Sequence, residues 1–318
     1  MLLDPFIVAL FVCVVLASLL PVSGAPAEWL DGVTTAAIVL LFFLHGVRLK
    51  RDALIAGLGH WRLHLLILAI TYAAFPLLGL GLRLVGGPLM TPSLWLGVLF
   101  ICVLPSTVQS SIAFTSIAGG NVAASLCAAA FSNLLGVLLT PLLVGLVMQM
   151  DGGHGMSGAH VARIALLLLA PFVVGHLLRP WLGDWADRRK TLLSFTDRGT
   201  ILLAVYGSFS AAVVSGLWQQ VDAVQLAVLV GVCCVLLALV LGLTFAVARL
   251  AGFDRADQIA IVFAGSKKSL ASGVPMARVL FPGAAAGPML LPIMIFHQIQ
   301  LVVCAWLARR YAAHRPEA

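Results

Sequence analysis

Apolar residues run in long blocks along this chain, separated by short polar breaks and without period-two alternation. The blocks give about ten segments, roughly 5–21, 31–47, 63–84, 93–117, 121–149, 160–179, 199–217, 223–249, 258–281 and 286–307. A run of about 20 apolar residues is long enough to cross a bilayer as a helix. Barrel strands are shorter and alternate, so the pattern predicts an all-α polytopic membrane protein of ten transmembrane helices. Two of the ten are interrupted. The fourth carries Leu104-Pro105-Ser106-Thr107-Val108-Gln109-Ser110-Ser111, and the ninth carries Gly265-Ser266-Lys267-Lys268-Ser269. Pro105 has no N–H to donate and disfavours helix at the residue before it. Ser and Thr hydroxyls can satisfy the freed carbonyls or coordinate an ion.

Ten spans divide five and five around the polar stretch 150–160. An odd number per half makes the halves inverted repeats, 1–150 and 151–318. A weak echo agrees: the first span ends Val14-Val15-Leu16-Ala17-Ser18-Leu19-Leu20-Pro21, and the sixth ends Val173-Val174-Gly175-His176-Leu177-Leu178-Arg179-Pro180. Interruptions in the fourth span of each half point to a midplane binding site where the repeats meet.

Composition fits lipid as the solvent, with 62% hydrophobic residues, 10% charged and a mean hydropathy of +1.10. Net charge is +7, and its placement matters more than its sign. With the N-terminus inside, fourteen of the nineteen Lys and Arg fall in cytoplasmic regions. They are Arg48, Lys50, Arg51 and Arg62; Arg179, Arg188, Arg189, Lys190 and Arg198; Arg249 and Arg255; then Arg309, Arg310 and Arg315. Only Arg83, Arg163 and Arg278 fall outside. The positive-inside rule therefore predicts a multi-pass protein of the cell inner (plasma) membrane with both termini cytoplasmic. These charges are short loop anchors, which argues against nucleic-acid binding. Residues 6–20 followed by Val22-Ser23-Gly24-Ala25 resemble a signal peptide, but Asp4 stands where a basic n-region belongs, so the segment is expected to stay. All six cysteines lie inside spans without metal-ligand spacing, as packing residues do. His154, His160 and the other loop histidines show no metal spacing either. Seven tryptophans cluster near span ends as interface anchors. No enzyme motif emerges.

The lysine pair is the strongest chemical signal. Each ammonium at the bilayer centre costs about 2.5–3.5 kcal/mol on insertion scales. Three readings stand. One or both lysines act as built-in cations that titrate; or they bind an anionic substrate with help from helix N-termini; or one snorkels to an interface while the other faces a cavity. His297 and Gln300 are three apart and share a helix face, expected to line the same cavity. Ser132 and Asn133 either reach that site or join helices, and His45 is expected to be interfacial.

At these residues the chain resembles the bile acid:sodium symporter superfamily, in its ten-helix sodium–bile acid cotransporter-like branch. The matching pieces are Phe42-Phe43-Leu44-His45-Gly46-Val47-Arg48-Leu49, Leu104-Pro105 through Ser111, Gly119-Gly120-Asn121, Gly265 through Ser269, and Pro292-Ile293-Met294-Ile295-Phe296-His297-Gln298-Ile299-Gln300. The resemblance implies a panel domain from spans 1, 2, 6 and 7 and a core domain from spans 3–5 and 8–10, with unwound helices 4 and 9 crossing. It further implies a secondary transporter of a small organic anion working by alternating access, with no enzymatic activity and no cofactor beyond Na+ or H+ as coupling ion. The runner-up is a non-transporting membrane regulator of ion homeostasis or cell-envelope processes on the same scaffold. Partners are the anion and the lipid bilayer, with oligomeric state left open.

Candidate substrate- or ion-binding residues are Thr71, Gln109, Ser110, Ser111, Asn121, Ser125, Ser266, Lys267, Lys268, Ser269, His297 and Gln300. Ser110, Ser111 and Ser125 match sodium ligands of relatives. Ala129 and Phe263 stand where that site has a further ligand and a glutamate, and Lys267 falls at a glutamine of the second ion site, with Thr71 as its span 3 ligand. No Asp or Glu lies well inside a span. Two ammonium groups would repel a sodium ion, by roughly 4 kcal/mol for unit charges about 4 Å apart at an effective dielectric of 20. The family's usual two-sodium coupling is therefore not expected.

Overall fold

A computed structural model describes residues 5–49, 60–150, 158–281 and 283–314. Asp4, Lys50, Arg51, His154 and Arg315 lie outside the described residues, as do the side chains of His160 and Arg163. Every described element is helical, as the block pattern predicts. Five helices are long and apolar enough to cross a membrane: Ala25–Arg48, Trp61–Leu89, Val122–Val147, Ala223–Leu250 and Ala286–Ala313. A sixth counts if Leu166–Leu177 and Arg179–Arg188 form one span bent by 90°. The chain is thus a polytopic membrane protein. Residues Arg179–Arg188, expected as a loop, are instead this right-angled helix. The fourth and ninth predicted spans are each two short helices, because both are interrupted.

The chain forms two compact units. Unit 1 comprises Met1–Leu49, Met156–Ala223 and Ala271–Leu291. It contains α1 (Pro5–Leu19), α2 (Ala25–Arg48), and the α8, α9, α10 and α11 helices (Gly158–Leu177, Arg179–Arg188, Lys190–Val214 and Leu217–Gln220). It also takes nearly all of α14 (Leu270–Leu280) and the start of α15 (Ala286–Ala313). The main contact in this unit is between α2 and α8. Backbones approach there through glycine: a Cβ on Gly46 would collide with the Phe172 carbonyl, and one on Gly175 with the Phe43 carbonyl. Beside them, Arg48 grips Asp197 of α10 through both carboxylate oxygens at 2.6 and 2.9 Å, and His45 Nε2 lies 3.8 Å from the same carboxylate. His45 therefore sits beside the Arg48–Asp197 ion pair inside unit 1.

Unit 2 comprises Lys50–Gly155, Val224–Leu270 and Pro292–Ala318. Its first helix, α3 (Trp61–Ala69), passes through one π-helical turn, Ile70–Ala74, into α4 (Phe75–Gly86). Then follow α5 (Pro92–Val103), α6 (Gln109–Ala118) and α7 (Val122–Met150). The second half of the chain supplies α12 (Ala223–Leu250), α13 (Arg255–Gly265) and most of α15. The two interruptions are residues 104–108, between α5 and α6, and 266–269, between α13 and α14. The first is shorter than its polar sequence suggests, so Gln109, Ser110 and Ser111 already belong to the first turn of α6.

The Gly119-Gly120-Asn121 motif has a concrete use in this unit. Gly119, at φ 75°, ends α6 in the left-handed conformation that glycine tolerates best. A Cβ on Gly120 would strike Ile259 of α13. Asn121 then caps α7 through Oδ1, which accepts from the Ala124 N–H at 2.9 Å, and donates from Nδ2 to Asp257 at 2.8 Å.

Candidate functional site

A broken helix leaves carbonyls without partners, and buried ones must be satisfied. Within unit 2 the two breaks satisfy each other. Ser269 N–H donates to the Pro105 carbonyl at 2.9 Å, and Ser106 Oγ donates to the Ala264 carbonyl at 2.5 Å. Ser111 Oγ reaches the Phe263 carbonyl at 3.0 Å, while Ser266 Oγ bonds back to Val262 at 2.6 Å. Around the first break, Thr140 covers the Val103 carbonyl and Asn133 covers that of Ser106. Two carbonyls of that run, Cys102 and Leu104, have a different partner.

That partner is Lys268. Its buried Nζ donates to the carbonyls of Cys102 and Leu104 at 2.8 Å each and of Thr71 at 2.7 Å. The Thr71 carbonyl is free for a local reason. In an α-helix it would accept from the Phe75 N–H, but that N–H goes to Ile70 in the π turn. The next candidate donor is Pro76, which has no N–H. Phe75 presents its ring face to the same ammonium, 4.1 Å from the centroid. All three ammonium hydrogens of Lys268 thus have carbonyl acceptors, two of them at or beside the C-terminal end of α5, where the helix dipole favours a cation.

Lys267, also fully buried, points to different partners. Its Nζ donates to the Ser110 carbonyl at 2.9 Å and sits 3.7 Å from the Phe114 ring centroid and 5.7 Å from that of Phe263. The two lysines therefore split, one toward α6 and one toward the π turn and α5. Neither snorkels. Thr71, expected beside Lys267, meets Lys268 instead, and through its backbone; its hydroxyl is buried without a partner among the described residues.

Gln300 holds the Lys268 backbone in place. Its Oε1 accepts from the Lys268 N–H and its Nε2 donates to the Lys268 carbonyl, both at 2.9 Å. His297 Nδ1 lies 2.8 Å from Gln300 Nε2, so the expected shared face exists. Replacing Gln300 with Leu leaves one donor and one acceptor of Lys268 unsatisfied at about 1–3 kcal/mol each. The expected result is a thermal midpoint several degrees lower and faster amide exchange at Lys268; unchanged exchange would contradict the clamp.

The remaining candidates are dispersed. Ser110 Oγ bonds Thr107, and Ser125 Oγ accepts from Thr115 at 3.2 Å. Gln109 is exposed. Asn121 serves as cap and bridge to Asp257, with no contact to either ammonium among those described. Sequence reasoning missed Tyr72, whose hydroxyl donates to the Ser132 carbonyl at 2.5 Å, and the ring faces of Phe75 and Phe114. The signal for the first group was Pro76, close after Thr71 within an apolar span. Among the described residues no group of three His, Cys, Asp or Glu could hold a metal ion.

Comparison with known proteins places this arrangement. The profile of the SBF-like CPA transporter family matches residues 4–313. A Pseudomonas aeruginosa PAO1 protein of uncharacterized function, PA2026, is 56% identical over 315 residues, covering 99% of this chain and 95% of the relative. The provisionally named symporter YfeH of Escherichia coli K12 is 54% identical over 309 residues, covering 97% and 93%. Sodium/bile acid cotransporter 7 of Rattus norvegicus is 28% identical over 307 residues, covering 94% and 89%.

Proposed function

The chain belongs to the SBF-like CPA transporter family, and from that premise we propose that it carries a small organic anion across the bilayer by alternating access, with Lys267 and Lys268 as tethered cations where sodium-coupled relatives hold ions. The observation that carries this reading is the Lys268 ammonium, surrounded by three carbonyl oxygens at 2.7–2.8 Å. Oxygen cages of that kind suit a hard cation, and here the cation is covalently attached. Lys267 supports the same reading, because it occupies the Ser110 carbonyl beside the residues that match sodium ligands.

A tethered cation cannot be released on the far side, so it cannot carry the energy of a sodium gradient. It can keep the crossing region electrostatically competent for an anion in every state of the cycle. The repeat and panel-and-core organisation is part of the proposal. It is supported by each unit drawing segments from both halves of the chain, and by one interruption per half. Cytoplasmic termini in the inner membrane follow from the placement of the basic residues.

The test is uptake of labelled organic anions, cholate first, by proteoliposomes holding the full chain. Uptake is expected, and exchanging external sodium for choline should change its initial rate by less than about twofold, since no sodium is displaced or bound. A tenfold loss on sodium removal would overturn the tethered-cation reading alone. No uptake of any anion under any sodium or proton gradient would overturn transport.

A further inference from the structure

Unit 1 contains a further, nearly buried cation that the lysine site does not use. Arg278 of α14 pairs through Nη2 with Asp31 of α2. The exposures differ sharply: the Arg278 side chain is 9% exposed and that of Asp31 is 53% exposed. Arg278 Nη1 is buried and has no protein hydrogen-bond partner among the described residues. Three hydroxyls of unit 1 share that condition: Thr34 on α2, and Ser208 and Ser210 on α10. Thr34 lies one turn beyond Asp31, on the same helix face. Ser208 follows Gly207, where an added Cβ would lie 3.8 Å from Arg278 Nη2 and 3.8 Å from Asp31 Oδ1. The arginine fork and the bare Gly207 backbone thus meet at the Asp31 carboxylate, and α2 and α10, the helices that carry Asp31 and Gly207, also carry these unpartnered buried hydroxyls within the same unit.

Leaving guanidinium and hydroxyl donors buried without acceptors is costly, and a native protein rarely does so without use for them. The fork is planar and bidentate, matched to a carboxylate. Asp31 satisfies only one arm, and its own carboxylate already stands half in solvent, so it can leave at small desolvation cost. We propose that Arg278 is a carboxylate-binding subsite in which Asp31 is the resident counter-ion, displaced when the guest carboxylate takes both arms of the fork with Thr34 and Ser208 as further donors. The proposal rests on the transport reading for its purpose and narrows the substrate from small organic anion to carboxylate. Its geometry is independent of the lysines.

The experiment follows ligand-dependent thermal unfolding of the purified full chain in detergent, without any gradient. Benzoate is the probe and benzamide its uncharged isostere. Benzoate should raise the unfolding midpoint in a saturable manner and benzamide should not. Asp31→Asn removes the competing negative charge and should tighten benzoate binding by about fivefold or more, since a neutral amide oxygen is displaced from the guanidinium more easily than a carboxylate. Arg278→Gln should abolish the benzoate response. A purely structural ion pair predicts the opposite for Asp31→Asn: lower stability with no gain in benzoate response. That result, equal shifts with benzoate and benzamide, or a retained response in Arg278→Gln would each overturn the proposal. If Arg278→Gln does not fold, Asp31→Asn alone decides. Loss of this subsite with anion uptake intact leaves transport standing, and benzoate binding without uptake leaves the subsite standing.

Discussion

Replacing Lys268 with Ala should reduce anion uptake at least tenfold and lower the thermal midpoint by many degrees, with sodium restoring part of both. The loss has three sources. The carbonyls of Thr71, Cys102 and Leu104 lose their donor, and each buried acceptor left alone costs about 1–3 kcal/mol. The long side chain leaves a cavity against Phe75, which adds to the cost. Without the cation, negative ends of peptide dipoles from α5 and the π turn face one another with nothing between them. Restoration follows from the same geometry, because the three oxygens remain aimed at one point and a small monovalent cation can take it. Thermal unfolding and uptake in sodium chloride against choline chloride provide the measurement. Lys268→Arg should gain no such response, since a planar guanidinium cannot sit where a compact ammonium did. Wild-type uptake and stability of Lys268→Ala in choline alone would sink the idea. Lys267→Met should be milder, as it breaks one hydrogen bond and two ring contacts.

The second large effect lies in unit 1. Gly175→Leu, and likewise Gly46→Leu, should abolish the monodisperse protein altogether, and the alanine variants should lower its thermal midpoint markedly. Gly46 and Gly175 oppose Phe172 and Phe43 in antiparallel order, and in both cases the obstacle is a backbone carbonyl. A side chain in the way could rotate, whereas a helix backbone must shift as a body. Overpacking costs about 1–3 kcal/mol where side chains can adjust, so even alanine should reach the upper part of that range here. Gly231 and Gly242 of α12 are the controls, since nothing stands within 4 Å of a Cβ at either. Alanine there should be neutral or stabilising by up to about 1 kcal/mol, because it removes glycine's helix penalty. Equal behaviour of the two pairs in size-exclusion yield and melting would contradict the packing account.

Legibility of the site from sequence was uneven, and the pattern is physical. Pro105 and the Lys267-Lys268 pair announced both breaks, because proline and buried charge violate helix and lipid rules wherever they stand. Gln300 with His297 was readable from helical spacing. The division of labour between the lysines was not, since adjacent residues in an irregular segment can point anywhere. Asn121 entered through the Gly119-Gly120-Asn121 motif, whereas its cap on α7 and its bond to Asp257 show only in the fold. Arg278 and Asp31 were legible only as flanking charges. They are 247 residues apart in the chain, and only folding makes them a pair.

By itself the sequence determined that this is an all-helical membrane protein, that it belongs among transporters of this family, and where its helices must break. The helical class and the breaks follow from local composition, because lipid demands about 20 apolar residues per crossing and internally satisfied backbone at every point, whereas the family was legible from short motifs such as Gly265 through Ser269. Only the tertiary structure decided what satisfies the breaks. Lys268 finds its third carbonyl because the π turn Ile70–Ala74, together with Pro76, frees the Thr71 oxygen for it to meet. That is a long-range coincidence of hydrogen-bond donors and acceptors, and no local pattern encodes it.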